Sequence, residues 1–295
     1  MTAKLISGNE ISKQIREELR QEIAQLNAKH NVVPGLATVL VGADPASQVY
    51  VGQKEKTSKD LGIYSERYDI PASTTEKELL ALVDRLNKNP KIHGILVQLP
   101  LPKHINETNV LFAIDPKKDV DGFHPVNVGK LMIGEPDYLP CTPHGIQQLL
   151  IRSGVKIDGA EVVVVGRSNI VGKPIANILL QKRPGANATV TICHTGTKDI
   201  ASHTRRADIL IVAAGRAKAV TADMVKEGAV VIDVGVNEIG KTADGKRILS
   251  GDVDFEGVKE KASAITPVPG GVGPMTIVML MMNTVRAAKL AAGLA

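Results

Sequence analysis

The segment Val162 to Leu180, VVVVGRSNIVGKPIANILL, limits the possible folds of this chain more than any other. Four consecutive valines leave no polar face, so they specify a strand buried on both sides, as in a parallel sheet covered by helices. Gly166-Arg167-Ser168 then breaks the strand, and Gly172-Lys173-Pro174 opens a run with helical apolar spacing. A buried strand that turns at glycine into a helix N-terminus directs bare backbone N–H groups and the positive helix end at an anion, usually phosphate. The spacing is G-x-x-x-x-x-G, with Ser168 where the G-x-G-x-x-G fingerprint has its second glycine. The general dinucleotide motif is therefore not met, and the surrounding chain has to decide.

That surrounding chain alternates helix and strand signals throughout. Asn9 can cap a helix with an apolar face of Ile11, Ile15, Leu19, Ile23 and Leu26. Leu36–Val41, Tyr64–Ile70 and Gly94–Leu99 read as strands, with helices over Pro45–Leu61 and Glu76–Leu86 between them. A Pro/Gly/Asp-rich zone at Asp115–Asn127 precedes a helix at Thr142–Ser153. A second set follows: strands Val162–Val165, Ala188–Cys193, Ile209–Ala213 and Val230–Val234, with helices at Gly172–Gln181, near Lys198–Arg205 and near Ala222–Lys226. The expected fold class is α/β: an N-terminal α/β catalytic domain plus a Rossmann-type, doubly wound parallel-sheet domain, with a ligand cleft between them. The expected bounds are 1–140 for the first domain and 141–269 for the second. A last helix near Pro274, within 270–295, completes the first.

Composition removes several classes. The 295 residues are 43% hydrophobic and 23% charged, ordinary for a globular protein, with only 2% aromatics and no Trp, so the core is aliphatic. A net charge of +5 comes from basic residues interleaved with acids, as in IREELRQEI, without the stacking aromatics of a nucleic-acid binder. The N-terminus lacks the apolar core of a signal peptide, and TIVMLMMNTV is about half the roughly 20 residues of a membrane span. Cys141 and Cys193 form no C-x-x-C pair, so free thiols in a reduced, cytoplasmic compartment are expected.

Several positions carry possible chemistry. Tyr50 and Lys54 lie one helical turn apart: either a phenol beside a proton-handling amine, or a solvent-facing lysine beside a half-buried tyrosine. Gln98 closes GILVQL, where an α/β strand points into its ligand crevice, or it merely caps an exposed strand end. Asp119 and Asp121 could bind a metal, close a turn at Gly122, or accept hydrogen bonds from an amine-bearing ring. PGGVGPMT, Pro269 to Thr276, permits close backbone approach to a ligand or makes a tight inter-domain turn. After the second strand of the nucleotide-type half, no acid appears until Asp199; His194, Thr195, Thr197, Lys198 and Arg167 stand there instead. Those groups suit a 2′-phosphate, so NADP is favoured over NAD.

Taken in order, YVGQK, GILVQLPLP, KDVDGF, PCTPHGI, VVGRSNIVGKP, CHTGT, GDV and PGGVGPMT closely resemble the bifunctional methylenetetrahydrofolate dehydrogenase/methenyltetrahydrofolate cyclohydrolase family, from about residue 36 to 285. The resemblance implies NADP-dependent oxidation of methylene-tetrahydrofolate and hydrolysis of the methenyl product to formyl-tetrahydrofolate. It implies Lys54 as the catalytic lysine, with Tyr50 packing on the folate and Gln98 hydrogen-bonding Lys54 and helping to hold it neutral. Asp121 would fix the pterin-type ring, with Val97, Leu99 and the loop Pro269, Gly270, Gly271, Val272, Gly273 also on the substrate. Gly166, Arg167, Ser168, Thr195 and Val236 would contact the cofactor. Thr195 stands where many members have serine and keeps the hydroxyl. A homodimer, no metal, no nucleic acid and no membrane are further implications. Competing readings are a shikimate-type NADP dehydrogenase, which would need neither VQLPLP nor PGGVGPMT, and a catalytically silent NADP-binding protein, which would have lost Tyr50, Lys54, Gln98 and Asp121. A monofunctional dehydrogenase is a third, against which the Lys54–Gln98 pair stands.

Overall fold

The computed structural model describes residues 2–242, 245 and 247–294. Its contacts divide the chain into two units, Gln14–Cys141 with Ile277–Ala295, and Met1–Lys13 with Thr142–Thr276.

In the first unit three parallel strands lie in the order Tyr64–Ile70, Gly35–Val41, Gly94–Val97. The central strand is buried at every position, as its run GLATVLV requires; the edge strand YSERYDI has no fully buried residue, as its polar and charged composition allows. The helix Pro45–Leu61 connects the first two strands. Asp44 caps it by accepting from Ser47 N at 2.8 Å, Pro45 opens it, and Gly62 in the left-handed region (φ 80°) closes it. The helix Glu76–Lys88 begins with a full capping box: Thr75 N donates to Glu78 Oε2 at 2.8 Å, and Glu78 N donates back to Thr75 Oγ1 at 3.3 Å. Its Leu79, Leu82, Val83 and Leu86 pack with Ala37, Val39, Ile95 and Val97 in one core.

The second unit contains a six-stranded, all-parallel sheet in the order Lys4–Leu5, Ala264–Ile265, Val230–Asp233, Ile209–Val212, Glu161–Val165, Thr189–Cys193. Counted from the valine strand, the order is 2-1-3-4-5 with the N-terminal strand added at the edge, the shorter of the two common doubly wound orders. The winding direction reverses between Glu161–Val165 and Ile209–Val212, and ligands of such sheets bind beyond the strand C-termini at that point.

Most expected elements are present to within two residues, and the departures have local causes. Ser7, not Asn9, caps the helix Gly8–His30: Ser7 Oγ accepts from Glu10 N at 3.3 Å, while Asn9 lies in the first turn and its backbone N–H donates to Gly270 O. The first residues belong with the second unit, because Lys4–Leu5 pairs with Ala264–Ile265. Ala222–Met224 is a single 3₁₀ turn rather than a longer helix. The hairpin Asn237–Lys241/Arg247–Ser250 and the helices Glu107–Ala113, Pro125–Met132 and Phe255–Lys259 are additional; short, polar and glycine-rich segments carry too few periods to register. Among the described residues no helix is long and apolar enough to cross a membrane.

Candidate active site

In the first unit, one side chain from a helix meets one from a strand end. Lys54, on Pro45–Leu61, is only 8% exposed, and its Nζ donates to Gln98 Oε1 at 2.8 Å. Gln98 lies one residue beyond the strand Gly94–Val97. Its Nε2 donates to Leu99 O at 2.7 Å, so both ends of the amide are fixed and the oxygen must face Lys54. Burial lowers the pKa of Lys54, opposed by the nearby Asp121 and then Cys141. The depression therefore comes from desolvation; an accepting amide oxygen such as that of Gln98 orients the amine and by itself favours the ammonium. Tyr50, one turn earlier on the helix, is 41% exposed.

Asp121 is fixed from two directions. The residue before it, Val120, is fully buried against Gly94, where a Cβ would come within 2.8 Å of the valine side chain, and Ile95 N donates to Lys118 O at 2.9 Å. Asn283 of the helix Val272–Ala291 donates to Val120 O at 2.7 Å and to Leu139 O at 2.9 Å. The Asp121 carboxyl is pushed up to about 6, first by burial, with Lys54 opposing. Cys141 stands beside it, and burial followed by the Asp121 charge drives its thiol well above the ordinary range.

The D-x-D pair has divided roles. Asp119 is 2% exposed and accepts from Phe123 N, His124 N (2.8 Å) and Asn127 Nδ2 (2.8 Å), which makes it the staple of the turn. Val97 is 3% exposed and its side chain belongs to the apolar core, so any ligand contact from it is through backbone; Leu99 is half-buried. Sequence reasoning assigned no role to Cys141 or Asn283. Cys141 reaches the Asp121 side chain and Asn283 reaches the carbonyl of the preceding Val120, each from a remote segment, and Asn283 is hidden in a largely apolar helix.

In the second unit the Gly166 turn leaves the valine strand at the winding reversal. Gly166 has φ +133°, and a Cβ there would overlap Ala213 O; one on Gly172 would overlap Gly166 O. Backbone thus packs on backbone where the helix Gly172–Leu180 begins, a cradle only glycine allows. Ser168 Oγ accepts from Val171 N at 3.1 Å and closes the turn, leaving Arg167 exposed. Thr195 is exposed beyond the strand Thr189–Cys193, and Val236 is 50% exposed beyond Val230–Asp233. Asp199, the first acid in that region, is already used: its carboxylate accepts from Ser202 N at 3.2 Å and caps a helix. Ser168 also takes up the first N–H groups of the helix, Gly172 N on its Oγ at 3.4 Å and Lys173 N on its carbonyl at 3.1 Å. An exposed arginine and hydroxyl, with the acid turned to another task, fit a dinucleotide with a 2′-phosphate.

The loop Pro269–Gly273 also lies in this second unit. Asn9 N donates to Gly270 O at 3.2 Å, a Cβ on Gly8 would overlap Gly271 O, and one on Gly271 would come within 2.6 Å of Pro267 O. These glycines are needed for packing. Gly273 meets nothing within 4 Å and is not. Pro269 is exposed, whereas the Val272 side chain is 5% exposed.

Comparison with known proteins matches two domains of one family to the chain. Residues 6–121 match the catalytic domain of tetrahydrofolate dehydrogenase/cyclohydrolase, and residues 140–292 match the NAD(P)-binding domain of the same enzymes. The "Bifunctional protein FolD" of Syntrophobacter fumaroxidans is 69% identical over 290 residues, covering 98% of each chain. The crystal structure of the Trypanosoma brucei methylenetetrahydrofolate dehydrogenase-cyclohydrolase, complexed with NADP cofactor and inhibitor, is 41% identical with a TM-score of 0.93, covering 98% of each chain. That of the Campylobacter jejuni bifunctional enzyme is 49% identical with a TM-score of 0.91, covering 98% of this chain and 99% of that one. A shikimate dehydrogenase structure shares the fold alone, at 13% identity and a TM-score of 0.51, over 88% of this chain and 94% of that one. The chain belongs to the tetrahydrofolate dehydrogenase/cyclohydrolase family.

Proposed function

We propose that the chain oxidises 5,10-methylenetetrahydrofolate with NADP⁺ and hydrolyses the methenyl product to 10-formyltetrahydrofolate, in one-carbon metabolism. The observation that carries the hydrolytic half is the buried Lys54 Nζ held at 2.8 Å from Gln98 Oε1. Bound NADP⁺ supplies the hydride acceptor; Gly166, Arg167, Ser168, Thr195 and Val236 are the residues that would hold it. Once the methylene carbon has lost hydride it is an electrophilic amidinium-type carbon. Water adds to it and loses one proton, giving a neutral carbinol. Cleavage of one C–N bond then gives the formyl group, with one proton ending on the departing nitrogen and the carbinol O–H proton released to solvent as the carbonyl forms. Desolvation favours neutral Lys54, whose lone pair takes the water proton; the resulting ammonium, next to Asp121, can return it to the departing nitrogen.

Gln98 keeps the Lys54 amine in one orientation. Tyr50 offers an exposed aromatic face to the substrate ring, and Asp121 accepts from its amine-bearing edge. Leu99 and the backbone of Val97 border the same strand end. Pro269, Gly270, Gly271, Val272 and Gly273 supply a ligand-facing backbone, with the unconfined Gly273 as the position of approach. A homodimer belongs to this reading on family resemblance. A cytoplasmic site fits the two buried free thiols, Cys141 and Cys193.

The test follows NADPH absorbance and methenyl absorbance with methylene-tetrahydrofolate and NADP⁺, then with NAD⁺. NADPH formation with methenyl decay, and weaker use of NAD⁺, is expected. NADP⁺ reduction without methenyl decay would leave only a dehydrogenase.

A further inference from the structure

The second unit holds two buried carboxylates that the roles above leave unused. Asp233 ends the strand Val230–Asp233 at 2% exposure, and Asp252 is 0% exposed in the segment after the hairpin. Each fills a slot opened by a glycine beside the other: a Cβ on Gly251 would overlap Asp233 Oδ2, and one on Gly235 would overlap Asp252 Oδ1. Asp233 Oδ1 accepts from the backbone N–H of Gly235 at 3.0 Å and of Asp252 at 2.9 Å; its Oδ2 accepts from Val253 N at 3.0 Å. Asp252 Oδ2 accepts from Ala214 N at 2.6 Å and Gly215 N at 2.8 Å, and its Oδ1 from Asn237 Nδ2 at 2.8 Å.

The backbone held in this way leaves the C-terminal ends of Ile209–Val212 and Val230–Asp233, the edge where doubly wound sheets receive their ligands. Ala213, next to the first of these bonds, donates to Val165 O at 2.8 Å and packs its carbonyl on Gly166 of the phosphate turn. Val236 lies between Gly235, bonded to Asp233, and Asn237, bonded to Asp252, and stays 50% exposed.

We propose that Asp252, supported by Asp233, is a positioning residue for the dinucleotide: it fixes the Ala213–Gly215 turn and the backbone on both sides of Val236 as the surface on which the nucleotide lies. The proposal rests on the NADP reading above. Charge-assisted bonds to backbone N–H groups suit the task, because they set loop geometry without contacting the ligand.

The test compares the parent with Asp252→Asn, which keeps the shape but presents an N–H to one set of donors, and with Asn237→Ala, which removes a single partner. NADPH dissociation constants are measured by fluorescence at temperatures where circular dichroism shows each protein folded. Asp252→Asn is expected to weaken NADPH binding about tenfold or more and Asn237→Ala about threefold, with KM for NADP⁺ raised and KM for the folate unmoved. A purely stabilising pair would lower melting temperature while the folded variants bound NADPH within about twofold of the parent; that result would overturn the proposal. If Asp252→Asn does not fold, Asn237→Ala alone decides by the same criterion. A parent that binds no NADPH would overturn the NADP reading together with this proposal, whereas variant-insensitive binding removes this proposal alone.

Discussion

The proposed chemistry rests on a few side chains whose ordinary properties are altered by where they lie. A surface lysine is a poor base because it is protonated; at 8% exposure Lys54 loses part of that preference, and Gln98 fixes the direction of the amine. Replacing Gln98 with Met keeps the volume and removes the acceptor. Methenyl hydrolysis should then fall by about 10²-fold, within the range of general acid–base contributions, while the NADPH dissociation constant stays unchanged; steady-state hydrolysis rates check the first and fluorescence titration the second. Asp121→Asn should raise the KM for methylene-tetrahydrofolate by about tenfold or more, since an amide presents a donor to the ring's own donors. As candidates, Tyr50, Lys54, Gln98 and Asp121 were nameable from the sequence, though only as motifs in order: spacing alone left each open to a structural explanation, and the structure brings Lys54 together with Gln98 and Asp121. Cys141 and Asn283 were not legible. Their relation to Asp121 is made by the fold, and an asparagine within TIVMLMMNTV resembles an accident of a buried helix until its N–H groups are seen on Val120 and Leu139.

At the scale of elements, the strongly patterned segments were readable and the short ones were not. Val162–Val165 and Leu36–Val41 are buried on both faces, so apolar runs declare them. Lys4–Leu5 and Ala264–Ile265 have two residues each and exist only because the sheet edge offers them partners. The glycine loop shows how two explanations of one motif coexist. Gly271 is required by packing, because a Cβ would come within 2.6 Å of Pro267 O, whereas Gly273 faces open space on a helix. Gly271→Ala should therefore lower the melting temperature by several degrees. Gly273→Ala should leave it level or raise it slightly through better helix propensity, while raising the folate KM; thermal melts and steady-state kinetics distinguish them. The cap is testable in the same way: Thr75→Ala should cost about 1 kcal/mol in urea unfolding by removing one half of the capping box.

For the molecule as a whole, these buried groups give stability a particular pH dependence. Asp121 and Asp233 are both raised from 3.8 to about 6, chiefly by burial. The folded state thus holds these protons more tightly than the unfolded chain. Their stabilising contribution is complete below the unfolded value and is lost as pH rises through about 6. Asp121→Asn, which cannot titrate there, should compare more favourably with the parent at about pH 8 than at about pH 5; the difference in melting temperature at the two pH values is the check. Carboxylates with lowered values, such as Glu55 and Glu66, act in the opposite direction, and their contribution is lost only at more acid pH.

One chain performing two consecutive reactions requires that removing the base of the second spare the binding needed for the first. The most direct measurement is therefore methenyl-tetrahydrofolate decay by the parent and by Lys54→Met, with NADPH affinity determined on the same samples. The expected result is decay by the parent, a loss of about 10³-fold in the variant, and equal NADPH binding by both. Equal decay by parent and variant would contradict the role given to Lys54, and a parent that neither reduces NADP⁺ nor consumes methenyl-tetrahydrofolate would contradict the folate chemistry altogether.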